Sequence, residues 1–355
     1  MAIYILFITI NLLLLSTPFK SNNNIYYPLS FISYILLLMF SGFRYGIGTD
    51  YFNYEDIFFN INKNNNYNSG LEYGFYFLSN ILPQKKEGFF SLIFITSLIT
   101  NFILFLAIKN RVKNKTPQER FLILLYFFIS NLYFLPFNGI RQGIAFSCTL
   151  LSFIFIKERR FFYFLLLILF GSLFHKSVLL FIPFYFIYNF NIKNILCLSL
   201  VSISLLLVKS GIFKLAISIF VSILGEKYVR YLENPVDYGG SGLGVYLYII
   251  LFLFVYSVKF LIKNKKMETK EYNFLFLMFS IGISFRIFAL DNIIFVRPSY
   301  YFTVFDTFFI PLFIMCFNKN RFIVFSAITL LYLISFLASL SNSNGLLPYQ
   351  NIFTI

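Results

Sequence analysis

Long runs of apolar residues recur along this 355-residue chain and limit what it can fold into. Charged residues make up only 12% of the sequence, about half the share that is usual in soluble domains. A water-soluble fold has too little interior to hide that much apolar surface. The composition therefore excludes a soluble enzyme, a disordered chain and a secreted disulfide scaffold. It predicts an all-α, polytopic integral membrane protein.

The apolar runs also predict how often the chain crosses the membrane. At about 20 residues for each spanning helix, the length allows roughly ten to twelve crossings. The stretch 161–188 forms either two short helices that meet near His175 or one helix that is broken near Pro183. Both alternatives give about twelve helices in a single membrane domain over residues 1–355. The clear runs are 3–17, 25–43, 89–108, 120–136, 140–157, 244–263, 273–290, 299–317 and 321–340.

The distribution of charge predicts the orientation of the helices. The net charge is +15, and 17 of the 29 Lys and Arg residues fall in alternate loops that hold only four acidic residues. By the positive-inside rule these loops face the cytoplasm, so the charge needs no nucleic acid to explain it. The first apolar run lacks the features of a cleavable signal, and both termini are expected outside the cytoplasm. Two outer loops, 44–88 and 225–243, are longer than simple connections need, which suggests a function for them.

The polar side chains that we single out near the ends of the apolar runs lie on the predicted outer side, and polar groups at membrane depth are functional candidates. Guanidinium groups bind phosphate oxygens in a bidentate manner, although they also pair with acids or reach lipid headgroups. Asp50, Glu72 and the single histidine, His175, are candidates for a general base that takes a proton from an attacking hydroxyl. Each of the three is also a candidate for a structural hydrogen bond or ion pair. The outer arginines are Arg44, Arg141, Arg286 and Arg297.

No metal site or cofactor site is predicted. The acidic pair Glu55 and Asp56 lacks the spacing of a firm metal site. The three cysteines lie singly inside apolar runs, where small core residues are expected, and their spacing indicates neither a metal cluster nor a disulfide.

Four short motifs follow one another between residues 43 and 177. In order they read FRYGIGTDYFNY from Phe43, EYGFYF from Glu72, NGIRQGIA from Asn138 and FHKS from Phe174. Together they resemble the EpsG-like family of bacterial exopolysaccharide proteins, which is akin to the Wzy-type polysaccharide polymerases. Each motif is weak alone, and their order carries the resemblance. The second half of the chain has only generic apolar runs.

The resemblance implies an enzyme that joins oligosaccharide repeat units at the outer face of the bacterial cytoplasmic membrane. The units are carried on undecaprenyl diphosphate, and the product is an exopolysaccharide, a capsule or an O-antigen. Lipid-linked donor and acceptor glycans are then the substrates, membrane lipid surrounds the protein, and a chain-length regulator and a flippase are possible partners. No cofactor and no nucleic acid are implied.

These considerations give a set of candidate site residues. Asp50, Arg141 and His175 are the predicted catalytic residues, and which of Asp50, Glu72 and His175 acts as the base is left open. The predicted substrate-binding residues are Arg44, Thr49, Tyr51, Tyr54, Glu72, Gln142, Ser177, Arg286 and Arg297. The last two arginines lie outside the motifs.

Two other functions fit a membrane protein of this kind. A flippase for lipid-linked sugars would place polar residues on both sides of the membrane and near its midplane, whereas here they are expected on one side. A membrane transferase that decorates surface glycans would show an active-site serine or a metal cluster. The one-sided polar residues favour the polymerase.

Overall fold

The computed structural model describes residues 1–16, 23–61, 71–113, 115–190, 192–216, 242–261, 265–340 and 345–353. Within these ranges the chain is helical and has no strand, apart from one isolated β-bridge between Arg44 and Asn351. The predicted all-α class is confirmed. The α-helices are α1 (Ala2–Ser16), α2 (Asn23–Gly42), α3 (Tyr51–Asn60), α4 (Tyr73–Ile81), α5 (Lys86–Val112), α6 (Pro117–Ile129), α7 (Leu135–Asn138), α8 (Ile140–Lys157), α9 (Phe161–Ser172), α10 (Phe184–Ile187), α11 (Asn194–Lys209), α12 (Leu243–Leu261), α13 (Lys270–Phe288), α14 (Val296–Thr303), α15 (Asp306–Ile314) and α16 (Arg321–Ala338).

Four of these helices, α5, α8, α13 and α16, are long and apolar enough to cross a membrane. Several shorter apolar helices accompany them, including α1, α9 and α11. A membrane protein with many apolar helices is therefore supported. The count of twelve spans stays a prediction, because residues 217–241 lie outside the described part of the chain.

Two of the predicted spans are broken into shorter helices. Run 120–136 forms α6 and then α7, because the chain turns at Asn131, whose φ is 65°, and the amides of Ser130 and Asn131 bond back to the end of α6. Run 299–317 is divided between α14 and α15 by a tight turn in which the Phe305 amide bonds to the Phe302 carbonyl. Periodic apolarity does not reveal such breaks, since apolar residues continue through the turns.

The stretch 161–188 follows the first of the two arrangements predicted for it. Helix α9 ends at Ser172, a 3₁₀ helix runs from Lys176 to Phe181, and α10 follows after Pro183. The chain therefore turns at His175, whose backbone is extended, with φ −157° and ψ 108°. This turn brings the single histidine to the end of an apolar helix.

The chain divides into two compact units. The first comprises Met1–Tyr185 with Tyr332–Ile355, and the second comprises Phe186–Leu331. The single membrane domain predicted from the sequence stays a prediction. In the second unit α13 packs against α11, α12, α14 and α15, and the carboxyl group of Asp306 is buried at the start of α15.

In the first unit α8 lies between α5 and α9, and α5 also packs against α2. Small residues allow the close contacts: a Cβ atom at Gly171 in α9 would lie 3.3 Å from the Cβ of Cys148 and 3.4 Å from the Cα of Ala145, both in α8. The tight pairing of α8 with α9 fixes the end of α9, and therefore His175, against the helix that carries Arg141.

The predicted outer loop 44–88 contains two helices, α3 and α4, in its described parts. Aromatic rings bury the inner faces of both helices: Tyr51, Tyr54 and Phe58 from α3 and Phe75 from α4 pack in one apolar cluster with Phe89 of α5. The loop is therefore an ordered part of the first unit on both sides of residues 62–70, which lie outside the described residues. Most of the second predicted loop, 225–243, also lies outside them.

Candidate functional site

Arg141 lies in the first turn of α8, directly after the four-residue helix α7 and Gly139. Gly143, two residues further on, lets α8 approach α7, because a Cβ atom there would lie 2.7 Å from the Cβ of Pro136. The Arg141 guanidinium extends from this turn over two aromatic rings, with its Cζ atom 5.8 Å from the centre of Tyr54 and 5.5 Å from that of Phe75. Helices α3 and α4 therefore provide the wall on which Arg141 lies.

Glu72 occupies the N-cap position of α4 in an extended conformation, with φ −72° and ψ 143°. Its side chain makes no capping hydrogen bond to α4. The next turn is held by Gly74, whose amide donates a 2.7 Å hydrogen bond to the Leu173 carbonyl. A Cβ atom at Gly74 would lie only 2.9 Å from that oxygen, so glycine permits the contact. The start of α4 is thereby fixed beside the end of α9, next to His175.

The carboxylate of Glu72 joins Arg141 and His175. The Arg141 guanidinium donates through Nη1 to Glu72 Oε2 at 2.5 Å, and His175 Nδ1 lies 3.0 Å from Glu72 Oε1. The three side chains come from α4, α8 and the turn after α9. They are 10% (Glu72), 20% (Arg141) and 22% (His175) exposed, so the centre is sheltered yet accessible.

The pKa of Glu72 reflects this arrangement. Burial alone would raise the pKa of the carboxyl, but the hydrogen bond to His175 and the charge of Arg141 together outweigh burial and lower the pKa to about 2. A carboxylate that holds no proton at neutral pH can only accept hydrogen bonds. His175 Nδ1 therefore carries the hydrogen between the two groups, and Nε2 is the ring nitrogen left to exchange a proton with a ligand.

The loop before α3 brings Asp50 into the same unit. Asp50 is half-buried and is the N-cap residue of α3. The exposed residue Thr49 donates its backbone N–H to the Asn138 side-chain oxygen at 2.9 Å, just before the turn that leads to Arg141. Tyr51 and Tyr54 are both buried, with 1% and 7% exposure, so their rings pack inside the aromatic cluster.

Arg44 is placed differently from Arg141. Its side chain is 2% exposed and points into the bundle, where Nη1 donates to the Ser41 carbonyl and to Ser97 Oγ, and the guanidinium lies 4.7 Å from the centre of the Phe137 ring. The cavity beside it has a volume of about 10 Å³, which is room for about one water and too small for a phosphate. Burial lowers the pKa of Arg44 to about 10, so the group stays charged at neutral pH. In this conformation Arg44 is not positioned to contact a substrate.

The remaining predicted residues fall in both units. Gln142 is buried in the first turn of α8, and Ser177 is half-buried on the 3₁₀ helix after His175. Arg286 and Arg297 belong to the second unit. The guanidinium of Arg286 lies 4.0 Å from the centre of the Tyr248 ring, and Arg297 is exposed in the first turn of α14.

No group of three or more His, Cys, Asp or Glu side chains within the described ranges is arranged to hold a metal ion. Cys148, Cys197 and Cys316 are all buried as free thiols. The three side chains joined at Glu72 are a guanidinium, a carboxylate and an imidazole.

Comparison with known protein families shows which family the chain belongs to. The model of the EpsG family matches residues 25–351. The chain belongs to the EpsG family. This is a Wzy-like polymerase family, and the resemblance predicted from the four motifs is confirmed over nearly the whole chain. Neither the comparison with curated proteins nor that with solved structures finds a match.

The geometry adds residues that the sequence did not single out. Asn138 lies within the third motif, but its hydrogen bond with the Thr49 amide is apparent only from the structure. The segment Gly345–Phe353 follows the last apolar run and carries no motif. In the second unit, a sequence signal for Asp306 did exist, because a carboxylate inside an apolar run is a functional candidate.

Proposed function

We propose that this protein is a polysaccharide polymerase that joins lipid-linked oligosaccharide repeat units at the outer face of the bacterial cytoplasmic membrane. The observation that carries the proposal is the Glu72 carboxylate, which joins Arg141 and His175 in a member of a Wzy-like polymerase family. The substrates are two glycans on undecaprenyl diphosphate, one as donor and one as acceptor, and membrane lipid holds their tails. A flippase supplies the units and a chain-length regulator limits the product.

The reaction is a substitution at the sugar carbon that is bonded to the diphosphate. A hydroxyl of the acceptor glycan attacks this carbon, the carbon–oxygen bond to the diphosphate breaks, and undecaprenyl diphosphate leaves with the bonding electrons. The hydroxyl proton passes to a general base. No nucleotide takes part, because the lipid diphosphate is itself the activated leaving group.

His175 is proposed as the base. Glu72 orients its ring through Nδ1 and stabilises the imidazolium that forms, which leaves Nε2 to accept the proton. Glu72 itself is a poor base, because its pKa of about 2 keeps it deprotonated. Asp50 remains the alternative base, on the loop that contacts the residues preceding Arg141.

Arg141 is proposed to stabilise the diphosphate. Its Nη1 bond to Glu72 fixes the guanidinium and leaves further N–H groups on a side chain that is 20% exposed. Negative charge grows on the diphosphate as the sugar–oxygen bond breaks, and a preoriented cation lowers the energy of that state more than it lowers the energy of the bound substrate.

The experiment is a polymerisation assay with purified protein in proteoliposomes. Undecaprenyl-diphosphate-linked repeat units are extracted from a producing strain in which this gene is deleted, and products are separated by length on a gel. The proposal expects longer glycans and one released undecaprenyl diphosphate for each bond formed. Movement of the units across the bilayer without lengthening would identify a flippase and contradict the proposal, as would no reaction at all.

A further inference from the structure

The segment Gly345–Phe353 lies along the loop Phe43–Thr49, which leads to Asp50. Three backbone hydrogen bonds join them: Tyr45 N–H donates to the Gln350 carbonyl at 3.0 Å, Ile352 N–H to the Phe43 carbonyl at 3.0 Å, and Gly48 N–H to the Gly345 carbonyl at 2.9 Å. The β-bridge between Arg44 and Asn351 belongs to the same pairing. The loop therefore has a partner strand-like segment from the far end of the sequence.

Tyrosine side chains hold this segment against the helices. The ring of Tyr349 stacks on that of Phe40 in α2, with centroids 4.2 Å apart and planes at 17°, and its hydroxyl donates to the Phe40 carbonyl at 2.9 Å. The hydroxyl of Tyr4 in α1 donates to the Leu346 carbonyl. These contacts tie the segment to both α1 and α2, so the segment is anchored independently of the loop.

The closest approach is between Gly345 and the residues just before Asp50. A Cβ atom at Gly345 would lie 3.2 Å from Thr49 N and 3.3 Å from the Gly48 carbonyl carbon. On the other side of the loop, a Cβ atom at Gly48 would lie 2.2 Å from the Phe137 carbonyl oxygen in α7. Gly48 is thus enclosed between the C-terminal segment and α7, the short helix that leads to Arg141.

We propose that Gly345–Phe353 positions the loop carrying Asp50 against the start of the Arg141 helix, and so takes part in arranging the catalytic site. This inference rests on the proposed polymerase function. The segment contains positioning residues and no catalytic one, because it touches the loop backbone and acts through it.

Loosening Gly345–Phe353 should affect the loop that carries Asp50 and the contacts of Glu72 differently. The loop depends on this segment for partners of Phe43, Tyr45 and Gly48, whereas Glu72 is held by its contacts with the residues around Arg141 and His175. Loosening the segment should therefore free the loop and leave the Glu72 contacts intact. Displacements of about 1 Å in a catalytic group reduce rates by about 100-fold, so a loosened loop should slow the reaction without unfolding the protein.

The test uses two glycine substitutions that impose the same backbone strain. Gly345→Ala and Gly211→Ala both place a Cβ atom on a residue with positive φ, +58° and +73°. A Cβ atom at Gly211 meets nothing within 4 Å, whereas one at Gly345 presses on Thr49. Gly211→Ala is therefore the control for strain alone.

Full-length variants in proteoliposomes are compared by polymerisation rate and by hydrogen exchange of backbone amides. Gly345→Ala is expected to lower the rate about tenfold and to speed exchange at Tyr45 and Gly48, with residues 74–81 and 143–150 exchanging as in the wild type. Gly211→Ala is expected to change neither readout. Tyr349→Phe, which keeps the ring stacking and loses one hydrogen bond, is expected to fall between Gly345→Ala and the wild type.

Two results would overturn the proposal: unchanged exchange at Tyr45 and Gly48 in Gly345→Ala, or faster exchange there with an unchanged rate. A third variant lacking residues 345–355 repeats the comparison if Gly345→Ala yields too little protein. If the wild type does not polymerise, the proposed function fails, and the exchange of the loop amides still decides whether the segment positions the loop.

Discussion

Arg44 and Arg141 look alike in the sequence, and the fold gives them opposite surroundings. Arg44 follows the apolar run 25–43 and Arg141 opens the run 140–157, both on the predicted outer side, and both are candidates for binding a diphosphate. Arg44 is 2% exposed and donates to the Ser41 carbonyl and to Ser97. Arg141 is 20% exposed and is paired with a carboxylate that also contacts a histidine.

The position of each arginine relative to a helix end determines what its side chain contacts. Arg44 comes two residues after α2 and its long side chain turns back between α2 and α5, where it fixes the start of a loop. Arg141 lies in the first turn of α8 and points outward over the rings of α3 and α4. Arg44 therefore makes its contacts inside the bundle, and Arg141 is the arginine that we propose binds a ligand.

The largest expected effect is a loss of polymerisation rate when Arg141 is replaced, compared with replacement of a surface arginine. Arg141→Ala is expected to lower the polymerisation rate by about 100-fold or more, because the leaving diphosphate loses its preoriented cation. The control is Arg160→Ala, whose arginine forms a 3.2 Å pair with Glu158 on side chains that are 59% and 45% exposed. Such surface pairs contribute little, so the control should polymerise normally. Equal rates in both variants would remove Arg141 from the mechanism.

The next effect is on stability and belongs to Arg44. Arg44→Met removes two hydrogen bonds and a contact with the Phe137 ring inside the bundle, and is expected to lower the free energy of unfolding by about 2–3 kcal/mol. The measurement is the thermal denaturation midpoint in detergent. Arg141→Ala, which removes one of the two partners of Glu72, is expected to lower the midpoint less than Arg44→Met does. A stable Arg44→Met variant would show that the two arginines are not different in kind.

A smaller effect follows from the pH dependence of Glu72. Its pKa is lowered to about 2 in the folded protein, so its contribution is fully present above pH 5 and is lost as the pH falls toward 2. Glu72→Gln is expected to be less stable than the wild type by about 1–2 kcal/mol at pH 7. The gap between their denaturation midpoints should narrow between pH 5 and pH 3. A gap that is constant over this range, or that widens, would contradict the assigned charge state.

The smallest effect tests the contact between the Asp50 loop and α7. Asn138→Ala removes the oxygen that accepts the Thr49 N–H and is expected to cost about 1 kcal/mol or less in stability. Asn60→Ala is the matched control, since the Asn60 side chain bonds within its own helix, to the Asp56 carbonyl. Hydrogen exchange at Thr49 should rise in Asn138→Ala and stay unchanged in the control. The same exchange in both variants would exclude this contact from holding the loop.

Much of the fold followed from composition and apolar periodicity. The helical membrane class and the order of the motifs were predictable, because apolar runs and rare polar residues mark helices and their ends. The turn at His175 was one of two arrangements that the sequence left open. The breaks at Asn131 and at Val304 were not predictable, since the apolar residues continue through both turns. Asp50, Glu72, Arg141 and His175 were predicted as candidates on one side of the membrane, and the structure joins the last three.

Pairing within that set could not be predicted. Glu72 was as free to pair with Arg44 as with Arg141, and only the contact of Gly74 with Leu173 brings it to His175. The role of Gly345–Phe353 was also hidden, because backbone hydrogen bonds between distant segments leave no residue pattern. Glycines at 48, 74 and 345 carry these contacts, and a single sequence does not distinguish a glycine required for close approach from any other glycine.

A double-mutant cycle on the polymerisation rate tests whether Arg141 and His175 act together in catalysis. It compares Arg141→Ala, His175→Ala and the two combined. If Glu72 joins these side chains into one catalytic centre, each single variant should lose about 100-fold, and the double variant should be little slower than the slower single one. Losses that multiply in the double variant would show two independent residues. A His175→Ala variant that polymerises at the wild-type rate would contradict the proposal that His175 takes part in catalysis.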